Sequence, residues 1–271
     1  AAAAVLSLLG WALVWGNTAL VTADVLVCSN GIPEAFDAYR IVQISDLHDA
    51  QIGENNEKLI AMTAETEPDC IVLTGDFVDS SRFHPERSLS VAEALVKIAP
   101  VYYVSGNHEA ILPDEDYQAL TDGLRALGVC VLEDESAELT RDGQSIRLIG
   151  LTDIGFHPGT LVEKKDALRT ALSALLPEDE FSVTLAHRPE LMDVYTECGA
   201  PLVLSGHAHG GQIRLPGIGG LYAPGQGFFP RYTSGNYTMG DTEMIVSRGI
   251  GNSAFPLRVN DRPEVVIVTL K

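Results

Sequence analysis

The sequence predicts an α/β fold built on two mixed β-sheets, with a functional site at the carboxyl ends of several strands. Three observations carry this reading. Short apolar runs of strand length alternate with helical patterns between residues 39 and 205. The runs repeatedly stop at polar motifs: Asp46-Leu47-His48, Gly75-Asp76, Gly106-Asn107-His108-Glu109, His187 and Gly206-His207-Ala208-His209. Beyond Gly210 the texture changes to short β segments, which points to a mixed rather than an all-parallel core.

Ala1 to Trp15 is apolar apart from Ser7, and no charge occurs before Asp24. Residues 1–16 are therefore expected to be a truncated membrane anchor, with a signal-peptide remnant or a buried terminal helix as the alternatives. A spanning helix needs about 20 apolar residues, and this run weakens at Gly16-Asn17-Thr18. No Lys or Arg flanks it to set an orientation. Residues 17–271 then read as one domain. Thr18 to Val27 is β-like, and Tyr39 to Ser45 is a largely apolar strand that ends at Asp46. Glu54 to Glu65 has helical composition, and Cys70 to Thr74 is a buried-type strand ending at Gly75-Asp76. Pro85 to Ile98 reads as a helix and Val101 to Val104 as the strand that delivers Asn107 and His108. Tyr117, Leu120, Leu124 and Leu127 mark an amphipathic helix before strand-like Val129 to Leu132. Ile146 to Leu151 is a further strand, and Leu168, Leu172 and Leu175 line a helical face. Phe181 to Ala186 delivers His187, Pro189 to Glu197 reads as a helix, and Leu202 to Ser205 delivers His207. Gln212 to Leu215, Glu243 to Ser247 and Val265 to Leu270 are the later β segments.

The chain has 271 residues and 46% hydrophobic content, enough for a substantial core. Its net charge of −19 repels nucleic-acid polymers, so none is expected as a partner, while divalent cations are attracted. Cys28, Cys70, Cys130 and Cys198 form no CxxC pair, which argues against a thiolate metal site; they read as mostly buried thiols.

Five of the seven histidines fall in the strand-end motifs. A DxH or GD alone is weak evidence, but GNHE together with GHxH is specific. With these blocks in order from Asp46 to His209, the chain resembles the calcineurin-like metallophosphoesterase superfamily. The approach to the first block, Ile32 to His48, together with Gly206 to Gln212 and Ser247 to Gly251, resembles the YkuE- and YaeI-type branch of bacterial membrane-associated phosphoesterases.

The resemblance implies a four-layer α/β/β/α sandwich with a dinuclear metal site. Asp46, His48 and His209 would hold one ion, Asn107, His187 and His207 the other, and Asp76 would bridge them. Mixed carboxylate, amide and imidazole donors suit Mn, Fe or Zn, with Mn favoured. Two such ions about 3.5 to 4 Å apart could hold a bridging hydroxide that attacks a phosphodiester or phosphomonoester. His108 would protonate the leaving group or steady charge on the phosphate, and Asp79 is expected to orient its ring. The bland reading of Asp79 is a helix-cap residue. Ser80-Ser81 follows where phosphoprotein phosphatases carry Arg-Gly, which weakens a phosphoprotein substrate. Glu109 is expected to orient the loop or a ligand.

Arg82, His84 and His157 are candidate substrate contacts, and Arg188 is a weaker one, each with a solvated surface role as its alternative. Nine glycines between Gly206 and Gly235, interspersed with Tyr222, Phe228, Phe229 and Tyr232, would either approach a substrate or form tight β connections with aromatics closing the core. A lipid-linked or nucleotide-sugar substrate such as UDP-2,3-diacylglucosamine fits this loop beside a membrane-like N-terminus, with the domain extracytoplasmic at a bacterial membrane. The competing readings are a small-nucleotide (cyclic nucleotide) phosphodiesterase and a non-catalytic metal-binding scaffold.

Overall fold

The computed structural model describes residues 10, 14–252 and 255–271, so most of the expected anchor lies outside the described residues. Residues 14–18 are helical, and no described helix is long and apolar enough to cross a membrane.

The first half of the chain lays down β1 (Val21–Val27), β2 (Arg40–Ile44), β3 (Cys70–Thr74), β4 (Val101–Val104) and β5 (Cys130–Val131). Helices α1 (Glu57–Glu65), α2 (Pro85–Leu95) and α3 (Asp114–Ala126) connect the last four as crossovers between parallel neighbours. The second half supplies β6 (Glu135–Arg141), β7 (Gln144–Gly150), α4 (Leu161–Leu175), β8 (Ser182–Leu185), α5 (Met192–Cys198) and β9 (Leu202–Ser205). Two small ribbons follow, β10 (Arg214–Leu215) with β11 (Gly219–Gly220) and β12 (Tyr222–Ala223) with β13 (Gly227–Phe228). The chain closes with β14 (Gly235–Met239), β15 (Thr242–Val246) and β16 (Glu264–Leu270).

Two six-stranded mixed sheets result, ordered β1-β16-β2-β3-β4-β5 and β14-β15-β9-β8-β7-β6. Period-two alternation in their strands divides the apolar residues among three cores, and the three cores define four layers. In β3, Ile71 and Leu73 face α1–α3 with Leu59, Val91 and Leu124, whereas Cys70 and Val72 face the other sheet. Val183, Leu185, Leu202 and Leu204 meet them from β8 and β9. Val203 of β9 points outward with Leu168, Leu172 and Met192 of the outer helices. The expected α/β/β/α sandwich is the observed one.

Several boundaries differ from the sequence reading for local reasons. The segment read as a helix from Glu54 begins as a 3-10 turn, because Asn55 and Asn56 adopt left-handed φ of 52° and 59° before α1 starts. Pro189–Leu191 is likewise a 3-10 turn ahead of α5. Strand β6 escaped the reading because only Leu139 of its seven residues is buried. Its signal lay in Asp142-Gly143, both with positive φ, the two-residue turn that favours a β-hairpin. The cysteines are also less buried than expected: all four are free, and Cys28 and Cys130 are exposed.

Candidate metal centre and active site

Strands β2, β3 and β4 of one sheet and β8 and β9 of the other end at the same crevice. A buried glutamine aligns them: Gln43 donates to Ser205 O at 2.8 Å and to Thr74 Oγ1 at 2.9 Å, joining three of these strands across the inter-sheet core. The sequence reading passed over Gln43 as one polar residue in an apolar strand. Beyond the strand ends the chain must turn sharply while keeping the donor side chains inward. Asp46, His48, Asp76, His207 and His209 therefore all take left-handed φ, between 46° and 66°. Gly206 permits the closest approach, since a Cβ there would lie 1.9 Å from Ser45 Oγ and 2.3 Å from Asp46 Oδ2.

Asp46, His48, Asp76 and His209 form one buried group of donor atoms, and Asp76, His187 and His207 form a second, each within 4.8 Å. Asp76 belongs to both. Nε2 of His48 lies 3.1 Å from Nε2 of His209 and 3.5 Å from Asp76 Oδ2, and His209 Nε2 lies 3.4 Å from Asp46 Oδ1. His187 Nε2 sits 3.3 Å from Asp76 Oδ2 and 3.2 Å from Asn107 Oδ1, which brings Asn107 into the second group. A carbonyl can only accept, so the 2.8 Å contact of His187 Nδ1 with Thr74 O fixes a proton on Nδ1 and turns Nε2 toward Asp76 and Asn107 as the atom that would bind metal. Nε2 of His48 and His209 facing each other at 3.1 Å, with His207 Nε2 buried and without a hydrogen bond, is the arrangement that cations resolve. The residues present therefore fit two metal ions.

The electrostatics agree. Burial lowers the His48 pKa to about 4 and holds His207 and His209 well below the ordinary imidazole value, so these rings are neutral ligands. Burial also opposes charge on His187, but the Asp76 carboxylate outweighs it and raises that ring to about 10. Burial raises Asp46 to about 6, partly offset by His187.

Glu109 explains how two loops keep register. Its buried carboxylate accepts from the amides of Asp76 at 2.9 Å, Phe77 at 2.7 Å, Val78 at 3.2 Å and Gly106 at 2.7 Å. Burial, reinforced by Asp76, lifts its pKa to about 7 while these donors pull the other way. The His108 amide adds a 2.8 Å bond to Asp76 Oδ1. Glu109 is thus the loop-orienting residue that its place in GNHE suggested.

His108 stands at the rim, its ring edge-on to His48 with centroids 4.5 Å apart. The expected Asp79 pairing is long: Asp79 Oδ1 is 3.8 Å from His108 Nδ1, and the Ser80 amide donates to that nitrogen at 3.1 Å. Asp79 is engaged by Arg82, Nη2 to Oδ2 at 2.6 Å, and by the Ser81 amide at 2.8 Å. Burial disfavours its charge, but Arg82 holds its pKa below the usual value. Arg82 and His84 line a polar cleft that reaches His48. His157 follows a 3-10 turn at Ile154–Phe156, with Nε2 buried and unpartnered, and is absent from the contacts that assemble the cluster among the described residues. Arg188 is largely withdrawn from solvent, and Asp153 holds it through bonds of 2.7 and 3.0 Å.

The sequence reading missed two further residues. Glu190 lies 3.6 Å from His207 Nε2, and its own Oε2 is buried and unpartnered. Arg258 is fully buried with Nη2 3.3 Å from His209 Nδ1, and it bonds Gly251 O and Arg248 O. Only the fold brings Arg258, 49 positions along the chain, to His209.

Two donor clusters sharing one carboxylate, set at strand ends of a two-sheet sandwich, define a dinuclear metallohydrolase site. The calcineurin-like phosphoesterase family model matches residues 39–211, and the chain belongs to that family as a metal-dependent phosphoric ester hydrolase. It is 33% identical to the uncharacterized metallophosphoesterase YkuE of Bacillus subtilis, over 92% of this chain and 85% of that protein. It is 30% identical to the phosphodiesterase YaeI of Escherichia coli, over 86% and 82% respectively. Among solved structures, TT1561 of Thermus thermophilus shares the fold with a TM-score of 0.55 at 14% identity, over 79% of this chain and 90% of that one.

Proposed function

We propose that the protein hydrolyses phosphodiesters at this centre, with manganese as its working metal and His108 as the group that serves the leaving oxygen. The observation that carries the reading is Asp76 shared between two buried clusters, with His108 beside them at the rim, 12% exposed. When bound, the ions supply Lewis acidity that activates water and offsets phosphate charge. The chain supplies the rest. Thr74 and Glu109 orient His187 and the Asp76 loop. With Nδ1 accepting from the Ser80 amide, the ring carries its proton on Nε2 and donates a hydrogen bond that steadies the charge developing on the leaving oxygen.

The finer reading is a lipid-linked or nucleotide-sugar ester, UDP-2,3-diacylglucosamine among them, met at a membrane to which residues 1–16 tether the domain. The glycine-rich loop supports it: Tyr232 closes a core, as one expectation held, whereas Tyr222 and Phe228 stand exposed beside the metal centre. The test is reconstitution of metal-free protein with Mn, Fe or Zn, followed by a panel of aryl phosphodiesters, phosphomonoesters and UDP-2,3-diacylglucosamine. His108→Ala is expected to keep its metal and lose about 10²- to 10⁴-fold in turnover, most for the poorest leaving group. Normal turnover in that variant would remove His108 from the mechanism.

A further inference from the structure

Two clefts of opposite character open onto the first metal cluster. His48 contributes to a polar cleft of about 300 Å³ that also contains Arg82, His84 and Arg87. Its one carboxylate, Asp49, is occupied by the amides of Asp79 and His84 and by Ser88 Oγ. His209 contributes to a cleft of about 420 Å³ walled by Ile213, Leu221, Tyr222, Pro224, Phe228 and Phe255. The two rings that separate the clefts are stacked with centroids 5.0 Å apart. A phosphate seated at this cluster therefore has the arginine-lined cleft on the His48 side and the apolar trough on the His209 side.

The geometry points to an amphiphilic phosphoester whose fatty acyl or alkyl chain lies in the trough between Phe228 and Phe255 while its polar head faces Arg87. This rests on the phosphoesterase reading and deepens it. Apolar surface exposed to water beside a charged centre has a cost, and Phe228 at 72% exposure and Tyr222 at 47%, packed edge to face on each other, present such surface along the trough. Continuity with the metal centre argues for this occupant: His209 belongs both to the wall of the trough and to the metal cluster, so a chain carried by a phosphoester bound at the cluster reaches the trough. The surroundings agree. Phe255, Leu257 and Val259, all exposed, belong to the same loop as Arg258, whose amide donates to Asn17 Oδ1 at 2.9 Å. Trp15, 45% exposed, stacks on Arg262 of that loop at 4.7 Å. Trp15 and Asn17 thus lie against the loop that carries Phe255.

The experiment is a series of alkyl p-nitrophenyl phosphodiesters, ethyl to dodecyl, assayed as monomers with the metal-loaded protein. Water adds to phosphorus, the bond to the aryl oxygen breaks, and p-nitrophenol and the alkyl phosphate are released. Each methylene that enters the trough is expected to raise kcat/KM about three- to fourfold until the trough is full. Phe228→Ala and Tyr222→Ala are expected to flatten that slope, while Arg87→Ala is expected to preserve it. A flat series with the ethyl ester turned over would overturn the acyl trough and leave the phosphoesterase reading standing. So would a slope unchanged in both aromatic variants, or one lost in Arg87→Ala. Failure to hydrolyse even the ethyl ester would overturn the phosphoesterase reading itself.

Discussion

Replacing Glu109 by glutamine tests the idea that one carboxylate holds the β3 and β4 loops together. The carboxylate receives four buried amides, two at each oxygen: Asp76 and Gly106 at Oε2, Phe77 and Val78 at Oε1. A glutamine retains one acceptor oxygen and turns an NH₂ group toward the other pair. Two buried N–H groups are then left without acceptors, at about 1–3 kcal/mol each, for a total of about 2–6 kcal/mol. That is a large part of the roughly 5–15 kcal/mol that stabilises a typical domain. Urea unfolding followed by circular dichroism should show a lower midpoint with an unchanged slope. Because either pair includes an amide of the Asp76 loop, metal retained after dialysis should fall as well. A Glu109→Gln protein within about 0.5 kcal/mol of the parent, with full metal content, would refute the clamp.

Other consequences follow from the same geometry. His187 is raised from 6.5 to about 10 beside Asp76, so in the metal-free protein this pair contributes stability fully below pH 6.5 that is lost as pH rises toward 10. Metal entry at pH 7.5 should expel about one proton, seen as buffer-dependent heat in calorimetry and absent in His187→Ala. His48 works the other way: lowered to about 4 by burial, it makes the metal-free fold lose stability as pH falls from 6.5 toward 4, and His48→Asn should flatten that acid limb in a pH series of melts. Burial pushes the Cys70 thiol up to about 12, so iodoacetamide at pH 8 should label Cys28 and Cys130 in the native protein and reach Cys70 only after denaturation. Labelling of Cys70 at the native rate would contradict its placement in the inter-sheet core.

The ligand set was legible because each of its members stands at the end of an apolar run, and a fold that aligns strand ends must bring those residues together. Asp46, Asp76, Asn107, His187 and His207 needed only that rule. What the sequence concealed were contacts set by packing. Gln43 looks like a flaw in an apolar strand until β9 lies opposite it, and Glu190 reads as a helix-start acid until His207 folds over it. Strand β6 hid because one face of a hairpin at a sheet edge can be polar throughout. Asp79 does stand within ion-pair distance of His108, as expected, but the Ser80 amide also reaches that nitrogen, a contact that only the turn geometry after Asp79 reveals.

The left-handed backbone at Asp46, His48, Asp76, His207 and His209 has a consequence for how the protein tolerates change. Each such residue holds strain of about 1–3 kcal/mol, and glycine would relieve it at any one position only by deleting a donor atom. Stabilising substitutions of the usual kind are thus closed off in the crevice, and the ions that bind there offset the tension that the crevice holds. Metal binding would therefore be coupled to the stability of the crevice, and its removal would be felt first at these strand ends.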